Sequence, residues 1–202
     1  GTPVARKSRV SPSAMQDLTA LLKEGNDLSP SQITSATSVL LDPEGSVEEK
    51  AEFLRALAIK GETPTEIAGF VEEFLTHAVD PGISPADFDA PMIDVCGTGG
   101  DGLNLFNVST TCIFILAAAG MIVVKHGNRG ITSKSGGADV LESLGVRIDL
   151  GPEAFGSCVK ETGLGFLFAQ KYHPAFKAVG PVRKKLAEEG QRTIFNILGP
   201  LL

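Results

Sequence analysis

Apolar positions in the first part of the chain recur at helical spacing. Leu18, Leu21 and Leu22 form one short face. Ser29 followed by Pro30 marks a second start, with Ile33, Val39, Leu40 and Leu41 behind it. Ser46 and Glu49 have the spacing of a capping box ahead of Phe53, Leu54, Leu57 and Ala58, and this helix is expected to stop at Gly61. Thr63 and Pro64 open a fourth, striped by Ile67, Phe70, Val71, Phe74 and Leu75. Glu48, Glu62, Glu72 and Glu73 crowd early turns or outer faces, which predicts solvated sides of a small bundle.

A stretch rich in Pro, Gly and Asp (80–91) separates this part from one of different texture. Met92 to Cys96 reads as a strand, Val108 to Ala119 as an apolar, buried helix and Met121 to Lys125 as a second strand. Ala138 to Leu144 reads as another helix and Phe166 to Ala169 as a further strand. Strands alternating with helices predict a parallel sheet with crossover helices. The expected class is therefore α/β, a small N-terminal helical bundle domain joined to a parallel-sheet α/β domain. The domains divide as 1–90, including a leader up to Ser13, and 91–202, with 173–190 packing back on the helical part. Gly1 in place of a starting Met is read as processing, and no apolar secretory signal follows it.

Composition narrows the partners. The chain has 202 residues, 43% of them hydrophobic, with a formal charge of -6, which argues against a nucleic-acid or anionic-membrane binder. No run reaches the ~18–20 apolar residues of a membrane span. Three cysteines without CxxC spacing fit a reducing cytoplasm and argue against a disulfide framework or zinc site.

The chemistry is concentrated in two glycine-rich loops. The first, Gly97-Thr98-Gly99-Gly100-Asp101-Gly102, satisfies GxGxxG literally. A dinucleotide fingerprint would open its helix at the third glycine and carry an acid about 20 residues on, at the end of the next strand. Here residues 103–107 intervene and the next strand ends in Lys125, which disfavours that reading. Glycines without Cβ still let backbone N–H groups approach an anion beside a helix N-terminus. Asn107 is a plausible cap for that helix, with the hydroxyls of Ser109 and Thr110 in its first turn. The second loop runs from Lys125 to Gly137. Between Cys96 and Ala138 there are three cations, Lys125, Arg129 and Lys134, against one carboxylate, Asp101. An acidic chain that keeps these loops basic points to an anionic ligand carrying more than one phosphate.

GTGGD at 97–101, NVST at 107–110, KHGNR at 125–129 and SKSGGAD at 133–139 together resemble the anthranilate phosphoribosyltransferases. FLFAQKYHPA at 166–175 and RTIFNILGPL at 192–201 extend the resemblance to the chain's end. It implies a nucleoside phosphorylase-like phosphoribosyltransferase fold, a homodimer formed through the helical parts, a site between the domains, and Mg²⁺. The implied reaction moves phosphoribosyl from 5-phosphoribosyl 1-pyrophosphate (PRPP) to the amine of anthranilate in tryptophan biosynthesis.

By the same resemblance PRPP is bound by Gly97, Thr98, Gly99, Gly100 and Asp101, and by Asn107, Val108, Ser109 and Thr110, with Ser109 as the Mg²⁺ ligand. Lys125, His126, Gly127, Asn128, Arg129 and Gly130 follow, then Ile131, Thr132, Ser133 and Gly137. Anthranilate falls to Gly97, His126, Asn128, Tyr172, His173 and Arg183, near Gly199 and Pro200. No general base is assigned; Lys125, Asn128 and Arg183 position the reactants. Family members continue past the position of Leu202, where they complete the sheet and add an Asp-Glu pair for a second Mg²⁺. The sheet is expected to be incomplete here. The alternatives are an inactive substrate-binding fragment, a pyrimidine nucleoside phosphorylase-like homologue or a nucleic-acid-binding one.

Overall fold

Capping chemistry sets where the N-terminal helices begin. The computed structural model describes residues 12–97, 106–130 and 135–202, opening with α1 (Pro12–Lys23), α2 (Pro30–Leu40), α3 (Val47–Lys60) and α4 (Pro64–Leu75). The Ser29 N–H donates to Gln32 Oε1 at 2.8 Å ahead of α2. At α4 the box is complete: the Glu66 N–H donates to Thr63 Oγ1 at 3.2 Å and the Thr63 N–H to Glu66 Oε2 at 2.9 Å. At α3 only half of the expected box forms. Ser46 Oγ accepts from the Glu49 N–H at 3.4 Å, while the Glu49 carboxylate accepts from Gln16 of α1 instead.

Glu66 is 1% exposed, unlike the solvated acids around it. Besides Thr63, its carboxylate accepts from the Leu28 N–H at 2.9 Å and pairs with Lys60 at 2.8 Å. Lys60 also meets Asp27 at 2.7 Å. One carboxylate thus joins the α1–α2 turn, the end of α3 and the start of α4.

The helical core is apolar: Met15, Leu22, Ile33, Leu40, Phe53, Leu57, Phe70 and Phe74 are buried. Later residues complete it. Val182 and Leu186 on α9 (Gly180–Glu188) and Phe195 on α10 (Phe195–Leu198) belong to the same cluster. The Phe74 ring lies 4.9 Å from that of Phe176 and 5.7 Å from that of Phe195. An exposed pair between Arg55 and Glu189 at 2.7 Å adds little beside this burial. Compactness therefore divides the chain into residues up to Thr76 with Ala175–Leu202, and His77–Pro174. Residues 77–90, which a cut at 90 would leave with the helices, go with the sheet. Val79, Ile83 and Phe88 pack there around Phe155 and Tyr172.

In the second unit β1 (Met92–Ile93), β2 (Ile122–Gly127) and β3 (Leu164–Phe168) form a parallel sheet in that order. Ile93 pairs with Val123, and Gly127 with Phe168. The first strand stops earlier than its apolar run to Cys96 predicts, and beyond it the Val95 carbonyl accepts from the Lys125 side chain at 2.6 Å. The helices are α5 (Val108–Ala118), α6 (Gly137–Ser143), α7 (Pro152–Thr162) and the short α8 (Ala169–Tyr172). α7 was not foreseen, although Pro152 at its first turn and Phe155 with Val159 at i, i+4 are local signals for it. It ends at Gly163, whose φ of 70° is left-handed. β3 lies so close to α7 that a Cβ on Gly165 would sit 2.4 Å from Val159 and 2.5 Å from Phe155.

The expectation that α5 is a buried helix holds on one face only. Ile113 is buried, whereas Phe114 is 41% and Ile115 63% exposed. The described residues cover only the side turned to the sheet and α6. Among them no helix is long and apolar enough to cross a membrane.

Candidate active site

Because the three strands are parallel, residues 94–97, 128–130 and 169–173 all leave the sheet at one edge, where open α/β sheets bind ligands. The N-terminus of α5 adds backbone donors and the positive end of a helix dipole. Asn107 caps it: its Oδ1 accepts from the Thr110 N–H at 3.1 Å and from the Ser109 hydroxyl at 3.3 Å. Thr110 Oγ1 is buried and has no partner among the described residues. A Cβ on Gly137 would fall 3.1 Å from that hydroxyl and 3.5 Å from Lys125 Cε. Thr110, Lys125 and the start of α6 therefore converge. A buried hydroxyl without a partner costs about 1–3 kcal/mol, a cost that a ligand oxygen would relieve.

Lys125 is 3% exposed, and burial lowers its pKa, with Cys96 and Asp94 opposing the shift. Its ammonium donates to the neutral Val95 carbonyl, so its charge is not consumed by a carboxylate at hydrogen-bond distance among the described residues. The next residue, His126, has its N–H on Asp94 Oδ1 at 3.2 Å and its ring edge-on to His173 at 5.1 Å.

Burial, and then the neighbouring His126, holds His173 at a pKa of about 4. Between that value and the ordinary 6.5 the unfolded chain binds a proton that the folded one refuses. Stability is thus fully present above 6.5 and falls as pH drops toward 4. Urea unfolding at pH 7 and pH 5 is expected to show the decline in the wild type and a shallower one in His173→Gln. An equal decline in both would contradict this account.

The second loop is pinched at its neck. The N–H groups of Gly130 and Gly136 both donate to Asp139 Oδ2, at 2.9 and 2.7 Å. The Ala138 N–H donates to the Asn128 carbonyl at 3.3 Å. Residues 128–130 lie directly over Gly136, where a Cβ would come within 2.4 Å of the Gly130 nitrogen and 2.6 Å of the Asn128 oxygen. Only glycine fits that crossing.

Arg129 has carboxylate partners that counting charges along the loop does not reveal. Its guanidinium pairs with both oxygens of Glu142, reaches Asp139 at 3.5 Å and lies 5.6 Å over the Phe168 ring. These partners stand on α6, beyond the window in which the loop reads as basic.

Of the remaining predicted residues, Thr98, Gly99, Gly100, Asp101, Ile131, Thr132 and Ser133 lie outside the described residues. Gly97, Val108 and Gly127 flank the edge, and a Cβ on Gly127 would strike the Phe166 ring at 2.7 Å. Tyr172 is turned into packing: it is 2% exposed, lies edge-on to Phe155 at 5.8 Å and donates its hydroxyl to Leu150. Arg183, Gly199 and Pro200 belong to the helical unit. Arg183 stands on α9, 5.3 Å over the Phe195 ring, and burial lowers its pKa. The sequence reading missed Asp139 as the neck clamp, although its position three residues after Gly136 is a capping spacing. It also missed Gln170, which donates to Asn128 Oδ1 at 3.3 Å and for which no local signal exists.

Comparison with known proteins agrees with this layout. The model of the glycosyl transferase family's a/b domain matches residues 89–202, and that of its helical bundle domain matches residues 16–78. An anthranilate phosphoribosyltransferase of Roseiflexus sp. (strain RS-1) is 47% identical over 187 residues, 93% of this chain and 52% of that protein. The crystal structure of anthranilate phosphoribosyltransferase from Thermus thermophilus superposes with a TM-score of 0.80 at 40% identity, covering 92% of this chain and 54% of that one. The Saccharomyces cerevisiae enzyme in complex with PRPP and Mg gives a TM-score of 0.79 at 27% identity, covering 94% and 55%. The chain spans about half the length of the curated relatives it matches. With the parallel sheet and both domain models in agreement, the chain belongs to the glycosyl transferase family that pairs a helical bundle with an a/b domain.

Proposed function

We propose that this chain serves anthranilate phosphoribosyl transfer, moving the phosphoribosyl group of PRPP to the anthranilate amine with release of pyrophosphate. The observation that carries the reading is the convergence of buried Lys125, the partnerless Thr110 hydroxyl and the α5 N-terminus on one spot at the strands' C-terminal edge. Such a spot suits a diphosphate: a cation, oriented N–H groups and a hydroxyl oppose its charge without reorganising. The relatives' names point the same way.

The oxygen-rich set at α5 suits Mg²⁺, a hard cation that keeps waters and binds through few protein groups plus substrate phosphates. Among the described residues no group of three His, Cys, Asp or Glu gathers as an all-protein cage. Ser109 would hold the ion beside the diphosphate, where the ion supplies neutralisation of charge. Lys125 stabilises the departing pyrophosphate as the ribose C1–O bond breaks. The aromatic amine attacks C1 while neutral and gives up its proton afterwards, so no strong base is required. Asn128 holds the anthranilate carboxylate, and this positioning raises the effective concentration of the amine.

The homodimer and the cytoplasmic location remain part of this proposal. Ile59, 81% exposed on the helical unit, is an apolar position that pairing of helical units would cover. The assay is direct: the protein at its natural length, with Mg²⁺, PRPP and anthranilate, should consume anthranilate fluorescence only when all three are present. Arg183→Ala is expected to raise the anthranilate KM about tenfold or more, the loss of a charged hydrogen-bonding partner, with little change in the KM for PRPP. An unchanged anthranilate KM would overturn the assignment of Arg183 to anthranilate.

A further inference from the structure

We infer that Gln170 sets acceptor specificity by fixing which end of the Asn128 amide is offered to the substrate. The inference rests on the transferase reading above, in which Asn128 meets the acceptor carboxylate. Register brings the two together: Asn128 follows Gly127 at the end of β2, Gly127 pairs with Phe168, and Gln170 stands two residues beyond Phe168 in α8.

An Asn side chain has two faces, an oxygen that accepts and a nitrogen that donates twice. Which way it points is normally ambiguous, but here a backbone group decides. The Arg129 N–H, which can only donate, lies 2.8 Å from one terminal atom of Asn128, so that atom is the oxygen. Gln170 Nε2 lies 3.3 Å from the same oxygen and must also donate. Two donors fill the two lone pairs of Oδ1. Among the described residues nothing accepts the Nδ2 hydrogens. What the side chain still offers is donation alone, the chemistry that recognises a carboxylate and discriminates poorly for a group needing an acceptor.

Without the Gln170 donor, one lone pair of Oδ1 is free to face the substrate and repel a carboxylate. A carboxylate at position 170 goes further: it accepts only, so it draws Nδ2 toward itself and competes with the Arg129 N–H for the orientation of the amide.

The test measures binding and turnover of two acceptors in the protein at its natural length. One is anthranilate; the other is its carboxamide analogue, anthranilamide, which presents donors as well as an acceptor. Gln170→Met, near in length and unable to donate, is expected to raise the anthranilate Kd and KM about tenfold. The anthranilamide values should shift by less than threefold. Gln170→Glu should enlarge the contrast between the acceptors. Both variants replace an exposed side chain, and unchanged melting temperatures would verify their fold. Equal shifts for both acceptors, or none, would overturn the inference while leaving the transferase reading standing. Failure of the wild type to bind anthranilate at all would overturn that reading, and the inference with it.

Discussion

Lys125→Met is expected to lower kcat/KM for phosphoribosyl transfer by about a hundredfold to a thousandfold, the range for removing one preorganised charge-stabilising donor. Its melting temperature should stay level or rise. The two effects separate because Lys125 is buried against a neutral carbonyl. Burial works against its charge, as the direction of its pKa shift records, so the fold gains little from the ammonium. A methionine of similar length keeps the packing and removes the desolvated cation, which offsets the loss of the bond to the Val95 carbonyl. Activity lost together with several degrees of stability would instead give Lys125 a mainly structural role. Steady-state kinetics with PRPP as the varied substrate, alongside a thermal melt, distinguishes the outcomes.

Glu66→Ala is expected to destabilise the helical unit by about 3 kcal/mol, in the range for removing one partner of a buried ion pair. The carboxylate accepts from two backbone N–H groups, the Thr63 hydroxyl and Lys60, so its loss leaves the Leu28 N–H and the α4 N-terminus without their acceptor. Burial by itself would raise the pKa of Glu66, but Lys60, Thr63 and Leu28 together outweigh it and the pKa is lowered. The sign follows: a depressed carboxylate contributes stability that is present above the unfolded value of 4.5 and lost as pH falls through the folded one. Denaturant unfolding of wild type and variant at pH 7 should show the full difference, which should narrow below pH 4.5. A difference under about 1 kcal/mol at pH 7, the level of an exposed pair, would contradict the hub described here.

Most of the helical unit was legible because its signals are local. Ser46 and Thr63 accept from N–H groups three residues away, the Ser29 N–H donates to Gln32 at the same spacing, and apolar spacing marks the faces of the helices between them. The glycine-loop motifs are local too, and their order along the chain carried the family resemblance. Locality also explains α7, whose signals were present but short.

Tertiary structure alone decided the rest. Phe176, Phe195 and the α9 residues complete a core that starts some 100 or more residues earlier in the chain, a pairing that no window of sequence contains. Glu49 was expected to bond back to its own cap and reaches α1 instead. Arg129 counted as a free cation because the acids that neutralise it, Asp139 and Glu142, come 10 and 13 residues later. Gln170 reaches Asn128 across 42 residues. The sequence by itself determined where the four N-terminal helices lie and how strands alternate with helices after them, since each signal depends on residues within a turn or two of one another. Which charges remain available to a ligand, and which way the Asn128 amide faces, depended on partners that only folding brings within hydrogen-bond range.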